Sequence, residues 1–382
     1  MREPEEELQD LEEQGLRRVL RRLDSSQGPV VSLGGAGGCV NFSSNDYLGF
    51  ASLPELIEIH AENVRRFGAG AGASRLVCGT MGAHLDLEEQ LAAFKRSEGA
   101  LTFSSGFAAA TGALPALCGK DDVIILDKLC HASLIDGSRL SGATLRVFPH
   151  NDLSKLESHL LWARKQVGEK GRILVVTESV FSMDGDLAPL ADLVELKDRH
   201  GALLLLDEAH AFGVLGPEGR GLAARESLES QVDFQMGTFS KAAGLSGGYL
   251  CTSRAWADLL INRARSFIYS TAPAPALAAS IGSAVELLSG ELGNSRRTLL
   301  REHVHHLAPD AESAILPIVI GGNSDALDAS DRLLEEGYLV PAIRYPTVPR
   351  GTARLRVTVS AAHSHEHVES LKNALADLTA SR

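Results

Sequence analysis

Apolar residues follow two regimes along the chain. Between about Pro54 and Ala279, short unbroken runs (DVIILD, TLRVF, RILVVTES, ALLLLDEA and VDFQMGTF) alternate with helix-length segments. A strand with one wet face alternates apolar and polar residues, whereas a run apolar throughout is buried on both faces. These runs therefore predict a mostly parallel sheet wrapped by helices. Ligands of such sheets sit beyond the carboxyl ends of the strands. Glu178, Asp207 and the GTFSK turn fall at such ends. Ahead of this region Leu8, Leu11, Leu16, Val19, Leu20 and Leu23 recur at helical spacing. Glutamates crowd the front of that stretch and arginines its rear, so one amphipathic helix is expected from Glu5 to Leu23. VVSLGGAGGCVNFSSNDYLGF then reads as a hairpin with a glycine turn. GGAGG lacks the following amphipathic helix of a dinucleotide fingerprint. After a helical stretch through Leu300, the runs AILPIVIGG, GYLVPAI and ARLRVTVSAAH alternate with helices as a smaller α+β unit. The expected division is residues 1–44 as an N-terminal helix and hairpin packing with the small domain, 45–285 as the large α/β domain, and 286–382 as the small domain.

Composition narrows the class. Of 382 residues, 44% are hydrophobic and 23% charged, the balance of an ordinary globular enzyme. A net charge of −12 with no basic block argues against nucleic acid and anionic membrane as main partners. No apolar run approaches the length of a membrane span. Five scattered cysteines without a CxxC pair read as reduced thiols in a cytoplasmic protein. The histidines of REHVHH and AAHSHEH resemble metal ligands, but nothing else supplies a converging set. They are expected to be exposed residues at helix ends, with no catalytic metal.

The chemistry gathers around Asp207, which ends an apolar run, and Lys241, held among small residues in GTFSKAAGLSGG. A strand-end carboxylate and such a lysine are the two ends of a pyridoxal phosphate site. The lysine can hold the cofactor aldehyde, and the carboxylate can keep the pyridine nitrogen protonated. FSSGFAAATGAL passes through Ser104, Ser105 and Gly106 into an alanine-rich helix. It is either a phosphate-binding helix start or a tight turn that needs glycine. His131, beyond the ILDKL strand end, either stacks on a cofactor ring or is a buried, hydrogen-bonded histidine. His210 shares the turn after Asp207. Glu178 and Ser182 close the neighbouring strand, Ser182 facing the phenolic side of a ring and Glu178 open to a structural role.

In order, NFSSNDYLG, FSSGFAA, HASLIDG, TESVFSMDGDLAPL, DEAHAFGVLG, GRG, GTFSKAAGLSGGYL and IYSTAPAP resemble the α-oxoamine synthases, a family of fold-type I pyridoxal phosphate enzymes. The resemblance runs from about residue 40 to the end. It implies an aspartate aminotransferase-like α/β fold with a large, mostly parallel seven-stranded sheet and a smaller α+β domain. It implies pyridoxal 5'-phosphate tethered by Lys241, with Asp207 on the pyridine nitrogen, His131 on the ring face and His210 on the phenolic oxygen. Gly106 and Phe107 would meet the phosphate through their backbone and Thr238 through its hydroxyl. Thr271 would reach the phosphate of the partner subunit, since family members are homodimers with sites at the interface. Asn45 and Arg356 match positions near the substrate amino acid, where an arginine can clamp a carboxylate in bidentate fashion. Arg21 would meet the acyl substrate. The implied reaction condenses an amino acid with an acyl-CoA and loses carbon dioxide. IRYPTVPRGTARLRVTVSAAH resembles the branch that uses L-alanine and pimeloyl-CoA in biotin synthesis more than the glycine-using or long-chain relatives. Ala211 and Phe212 are bulkier than is common in that branch, and SKAAGLSGG departs from the commoner SKALG form.

Overall fold

A computed structural model describes residues 3–34, 37–168 and 170–380. Gly35 and Ala36 of the expected glycine turn lie outside the described residues. The chain falls into two compact units. One comprises residues 1–52, 182–186 and 296–382, and the other 53–181 and 187–295. The expected boundaries were 44/45 and 285/286, so the divisions here fall several residues later. The short segment Ser182–Asp186 belongs with the first unit.

In the larger unit seven strands form one sheet, ordered Gly99–Phe103, Gly248–Thr252, Phe234–Thr238, Leu203–Asp207, Ile173–Glu178, Val123–Asp127 and Thr144–Phe148. All neighbours pair in parallel except Gly248–Thr252, which runs antiparallel to both of its partners. The five apolar runs of the sequence each supply a strand. Leu174, Val176, Leu205, Phe234 and Met236 are buried with Leu114, Leu117 and Leu134 from the covering helices. Each such side chain contributes about 1.5–3 kcal/mol by leaving water. The sheet can be apolar on both faces only because helices cover both, and this drives its polar groups to the strand ends. The antiparallel strand is less legible, since GYLCT is short and follows a turn whose function lies in the lysine. It is joined to its neighbour by the hairpin that carries Lys241, with Phe239 N–H donating to Gly247 O (3.0 Å).

In the smaller unit Val30–Ser32 pairs antiparallel with Gly38–Asn41, as the hairpin reading expects. Tyr338–Leu339 adds to Gly38–Asn41 in parallel. Ile315–Gly321 and Ala342–Ile343 flank Ala353–Thr358, both antiparallel. GYLVPAI therefore splits between two sheets. Pro341, which lacks an N–H, separates the halves.

The N-terminal helix is shorter than expected. It spans Pro4–Glu13 and ends where Gly15 adopts φ +63°. There the N–H groups of Leu16 and Arg17 both turn back to Leu11 O, at 2.7 and 3.0 Å. A left-handed glycine closes a helix even where the apolar spacing continues, and here it overrides the periodicity. Residues 16–22 are not helical, and Leu20 is 99% exposed.

Gly248 shows how tightly the Lys241 hairpin meets the turn before the helix Gly106–Leu117. A Cβ there would lie 2.4 Å from Ser105 O and 2.6 Å from Gly106 N. Gly248→Ala is expected to destabilise the fold by about 1–3 kcal/mol through overpacking against backbone, read as a lower urea midpoint at unchanged m.

Candidate active site

Two polar strand ends of the large sheet stand side by side. Asp207 closes one strand and Glu178 its neighbour, opposite each other in register. Both are buried. Burial pushes both carboxyls up, Glu178 to about 8 and Asp207 to about 6. For Glu178 the charge of Asp207 adds to the rise, while the Lys241 ammonium pulls both down. Ala209 N–H donates to Asp207 Oδ1 at 2.9 Å, and His131 N–H donates to Glu178 Oε1 at 2.5 Å. Glu178 thus acquires a definite role, fixing the backbone of His131.

His131 caps the helix Ala132–Leu140. Its Nδ1 accepts from Ser133 N–H at 3.2 Å and meets Ser133 Oγ at 2.8 Å. The imidazole proton therefore sits on Nε2. Burial lowers the pKa of the ring, and the Lys241 charge lowers it further, so it stays neutral. Lys241 Nζ donates to His210 Nε2 at 2.7 Å, which places the proton of His210 on Nδ1. Lys241, His210, Asp207 and His131 are thus gathered at the strand ends.

The helix Gly106–Leu117 begins beside them. Ser105 Oγ accepts from Ala108 N–H at 3.0 Å, and the N–H groups of Gly106 and Phe107, in the first turn, have no intrahelical acceptor. The Phe107 side chain is half exposed. A Cβ on Gly106 would stand 3.3 Å from Thr238 Cβ, so the absent side chain brings this turn against the Lys241 strand. Thr238 Oγ1 donates to Gly247 O at 2.7 Å and accepts from Ser240 N–H at 3.2 Å. Ser240 Oγ is then the donor in its 2.8 Å contact with Thr238. Sequence reasoning passed over Ser240 because serines are unremarkable in such a turn. Thr271 is exposed and bridges to Ser74. Ala211 and Phe212 are buried, with Phe212 packed on Phe94, Phe239 and Tyr249. Their bulk fills the core.

The smaller unit assembles the other candidates. Arg356 is buried, donating from Nη1 to Asn45 Oδ1 (3.1 Å) and Thr358 Oγ1 (2.9 Å), and from Nε to the carbonyl of Ser182 (2.7 Å). Ser182 therefore meets Arg356 through its main chain. Tyr47, whose hydroxyl burial pushes up to about 12, donates to Asn45 Oδ1 at 3.2 Å. Tyr47 stood in the SSNDYLG motif without an assigned part. Arg21 lies in the non-helical segment, exposed and 3.6 Å from Asp331 Oδ1.

His303 and His363 are buried, against the expectation of exposed histidines, while His305, His306 and His365 are exposed. Both buried rings serve the loop around Ser360, a tertiary role that helix-end spacing cannot reveal. Among the described residues no group of three or more His, Cys, Asp or Glu is placed to hold a metal ion. None of their helices is long and apolar enough to cross a membrane.

The Aminotransferase class I and II family profile matches residues 37–375. The chain belongs to that family. It is 47% identical over 380 residues to an 8-amino-7-oxononanoate synthase of Geobacter sulfurreducens, covering 97% of this chain and 96% of that one. It is 42% identical to another of Burkholderia pseudomallei, at 97% and 96% coverage. Among solved structures, a variant of serine palmitoyltransferase from S. paucimobilis with a bound PLP–myriocin aldimine superposes with a TM-score of 0.91 at 28% identity, covering 98% of this chain and 96% of that one. The 8-amino-7-oxononanoate synthase of Francisella tularensis does so with a TM-score of 0.76 at 28% identity, covering 90% and 97%. The architecture is fold-type I.

The residues at the strand ends fit pyridoxal phosphate. A buried carboxylate whose pKa is raised by desolvation is stabilised by a protonated ring nitrogen, and the first turn of a twelve-residue helix offers N–H donors to a phosphate. Before any cofactor binds, both carboxyls hold protons more tightly folded than unfolded. The folded state then binds more protons across the window from about 4.5 to about 8 set by Glu178, so stability falls as pH rises through it. Urea midpoints of the cofactor-free protein should decline across that window, and Glu178→Gln should flatten the decline.

Proposed function

We propose that this protein is a pyridoxal 5'-phosphate-dependent acyltransferase that condenses L-alanine with pimeloyl-CoA or another pimeloyl thioester. The products are 8-amino-7-oxononanoate, coenzyme A and carbon dioxide, a step of biotin synthesis. The observation that carries this reading is 42–47% identity, over nearly the whole chain, to curated proteins of that activity.

When bound, the cofactor supplies an electron sink for the negative charge that develops at the amino-acid α-carbon. Lys241 would hold its aldehyde end, Asp207 would keep its ring nitrogen protonated, and Gly106 and Phe107 would donate N–H groups to its phosphate. Thr238 and Ser240 order the turn beside that phosphate. His131 would flank the ring, and its Nε2–H would be a donor for the thioester carbonyl as charge grows there. His210 accepts from Lys241 and fixes where its Nζ stands before reaction. Lys241 Nζ would also serve as the general base for the α-proton. Arg356, oriented by Asn45 and Ser182, receives the amino-acid carboxylate. Arg21 contacts the acyl substrate.

The reading includes a homodimer with active sites at its interface. Leu76, Val77 and Tyr269 support it, exposed near the Ser74–Thr271 bridge, which would bring Thr271 to the partner's phosphate. It also includes a cytoplasmic location, supported by five free cysteines.

A second reading, serine or glycine with another acyl chain, is favoured by the TM-score of 0.91 to serine palmitoyltransferase. Coenzyme A release measured over a matrix of amino acids and acyl-CoA lengths separates the two. Alanine with pimeloyl-CoA should give the highest kcat/KM, and turnover only with glycine or serine would sink the proposal. Lys241→Ala should lower kcat by about a thousandfold or more while leaving the fold intact by circular dichroism.

A further inference from the structure

Arg356 and Asn45 are separated by 311 positions, yet they meet at 3.1 Å. Two chain segments must be locked together for that contact to form, one running on from the strand Ala353–Thr358 and the other spanning residues 41–47. The lock has two halves. At the rear, Ser360 Oγ donates to Asp46 O (2.7 Å) and Ala361 N–H to Tyr47 O (2.8 Å). At the front, Thr358 N–H donates to Phe42 O (2.8 Å), and beside it lies the His363 ring. His363 Nδ1 accepts from Ser360 N–H at 3.1 Å, so Nε2 carries the proton and donates to Asn41 O at 3.0 Å. The ring stacks on Phe42, with centroids 4.2 Å apart and planes 28° apart. No other side chain among these contacts bonds to both segments at the front of the loop.

We propose that His363 is a positioning residue for the amino-acid carboxylate pocket, bridging the Arg356 segment to the segment that carries Asn45 and Tyr47. Burial lowers the pKa of the imidazole to about 4, so it stays neutral and keeps one acceptor and one donor in place at working pH. His303 adds to the same loop through a 3.3 Å contact between Nδ1 and Ser360 O. The arrangement explains why the AAHSHEH histidines gather without forming a metal site among the described residues. Their first member is consumed by two fixed main-chain partners.

The inference rests on reading Arg356 as the carboxylate ligand, and the test separates the two. Three holoenzyme variants are measured for the KM of alanine, the KM of pimeloyl-CoA, kcat and Tm. His363→Phe keeps the stack on Phe42 but neither bond, and should raise the alanine KM about tenfold, the worth of a buried hydrogen bond, with kcat and the thioester KM within about twofold. In His363→Gln the amide nitrogen reaches toward the place of Nε2, and the alanine KM should return to within about threefold of the original. His363→Asn offers an acceptor at the place of Nδ1 only and should stay near the Phe variant. If His363→Phe does not fold, the contrast between Gln and Asn decides. A lower Tm in all three with an unchanged alanine KM overturns the proposal, as does rescue by Asn and not by Gln. Arg356→Lys is the control. If it raises the alanine KM while the His363 variants do not, only the His363 role falls, and if it changes nothing, the carboxylate reading and the proposal fall together.

Discussion

Glu178 and Asp207 stand side by side at the ends of adjacent parallel strands, buried from water. Two carboxylates so placed cannot both be charged without compensation. Repulsion and desolvation raise the cost together, and the structure around them offsets only part of it, so both carboxyls remain raised. Lys241 brings a positive charge, and the N–H groups of His131 and Ala209 each donate to one carboxylate. The hairpin that presents the lysine and the helix capped by His131 are therefore tied to the same electrostatic demand. A carboxylate kept dry and short of positive charge is also what a protonated pyridine nitrogen requires as a partner.

The residue after Asp207 faces the opposite demand. Glu208 is fully buried and paired with Lys95, which is equally buried and also donates to Arg220 O. Glu208 Oε1 accepts from Ala223 N–H at 3.0 Å. Consecutive carboxylates thus have different surroundings, Asp207 beside Glu178 at the strand ends and Glu208 as a buried anchor behind it. A buried ion pair of this kind adds little net stability, because desolvation offsets the attraction, but breaking one partner leaves an uncompensated charge. The pair holds the turn from which His210 reaches Lys241. In the smaller unit the anchor is of another kind. Arg356 is oriented by neutral acceptors, Asn45, Thr358 and the Ser182 carbonyl, so its charge is not cancelled by a carboxylate among them.

Much of the large unit was legible because buried parallel strands write themselves as unbroken apolar runs. Four of the seven strands were legible in this way, with Asp207, Glu178 and the lysine turn at their ends, while the fifth run, Thr144–Phe148, forms an edge strand that stays largely exposed although it reads as apolar. The N-terminal helix was overestimated because periodicity counts side chains and does not register the left-handed turn at Gly15. The burial of Lys95 left no local trace, since its partner is 113 positions away. His303 and His363 were misjudged for the same reason, as their partners lie in loops that spacing cannot reach. The bond from Arg356 to the carbonyl of Ser182 left no trace either, since every residue offers the same carbonyl in sequence.

By itself the sequence determined most strands of the large sheet, the family, and which residues stand as candidates for its chemistry. These depend on residue type, local periodicity and short ordered motifs, all of which are carried by neighbours along the chain. Tertiary structure alone decided the protonation of those groups and the partners that orient them. Burial of Glu178 beside Asp207, the neutral tautomer of His131, the contact of Lys241 with His210 and the meeting of Arg356 with Asn45 all arise between distant segments. Their energies depend on distance and on excluded water, and neither quantity exists until the chain has folded.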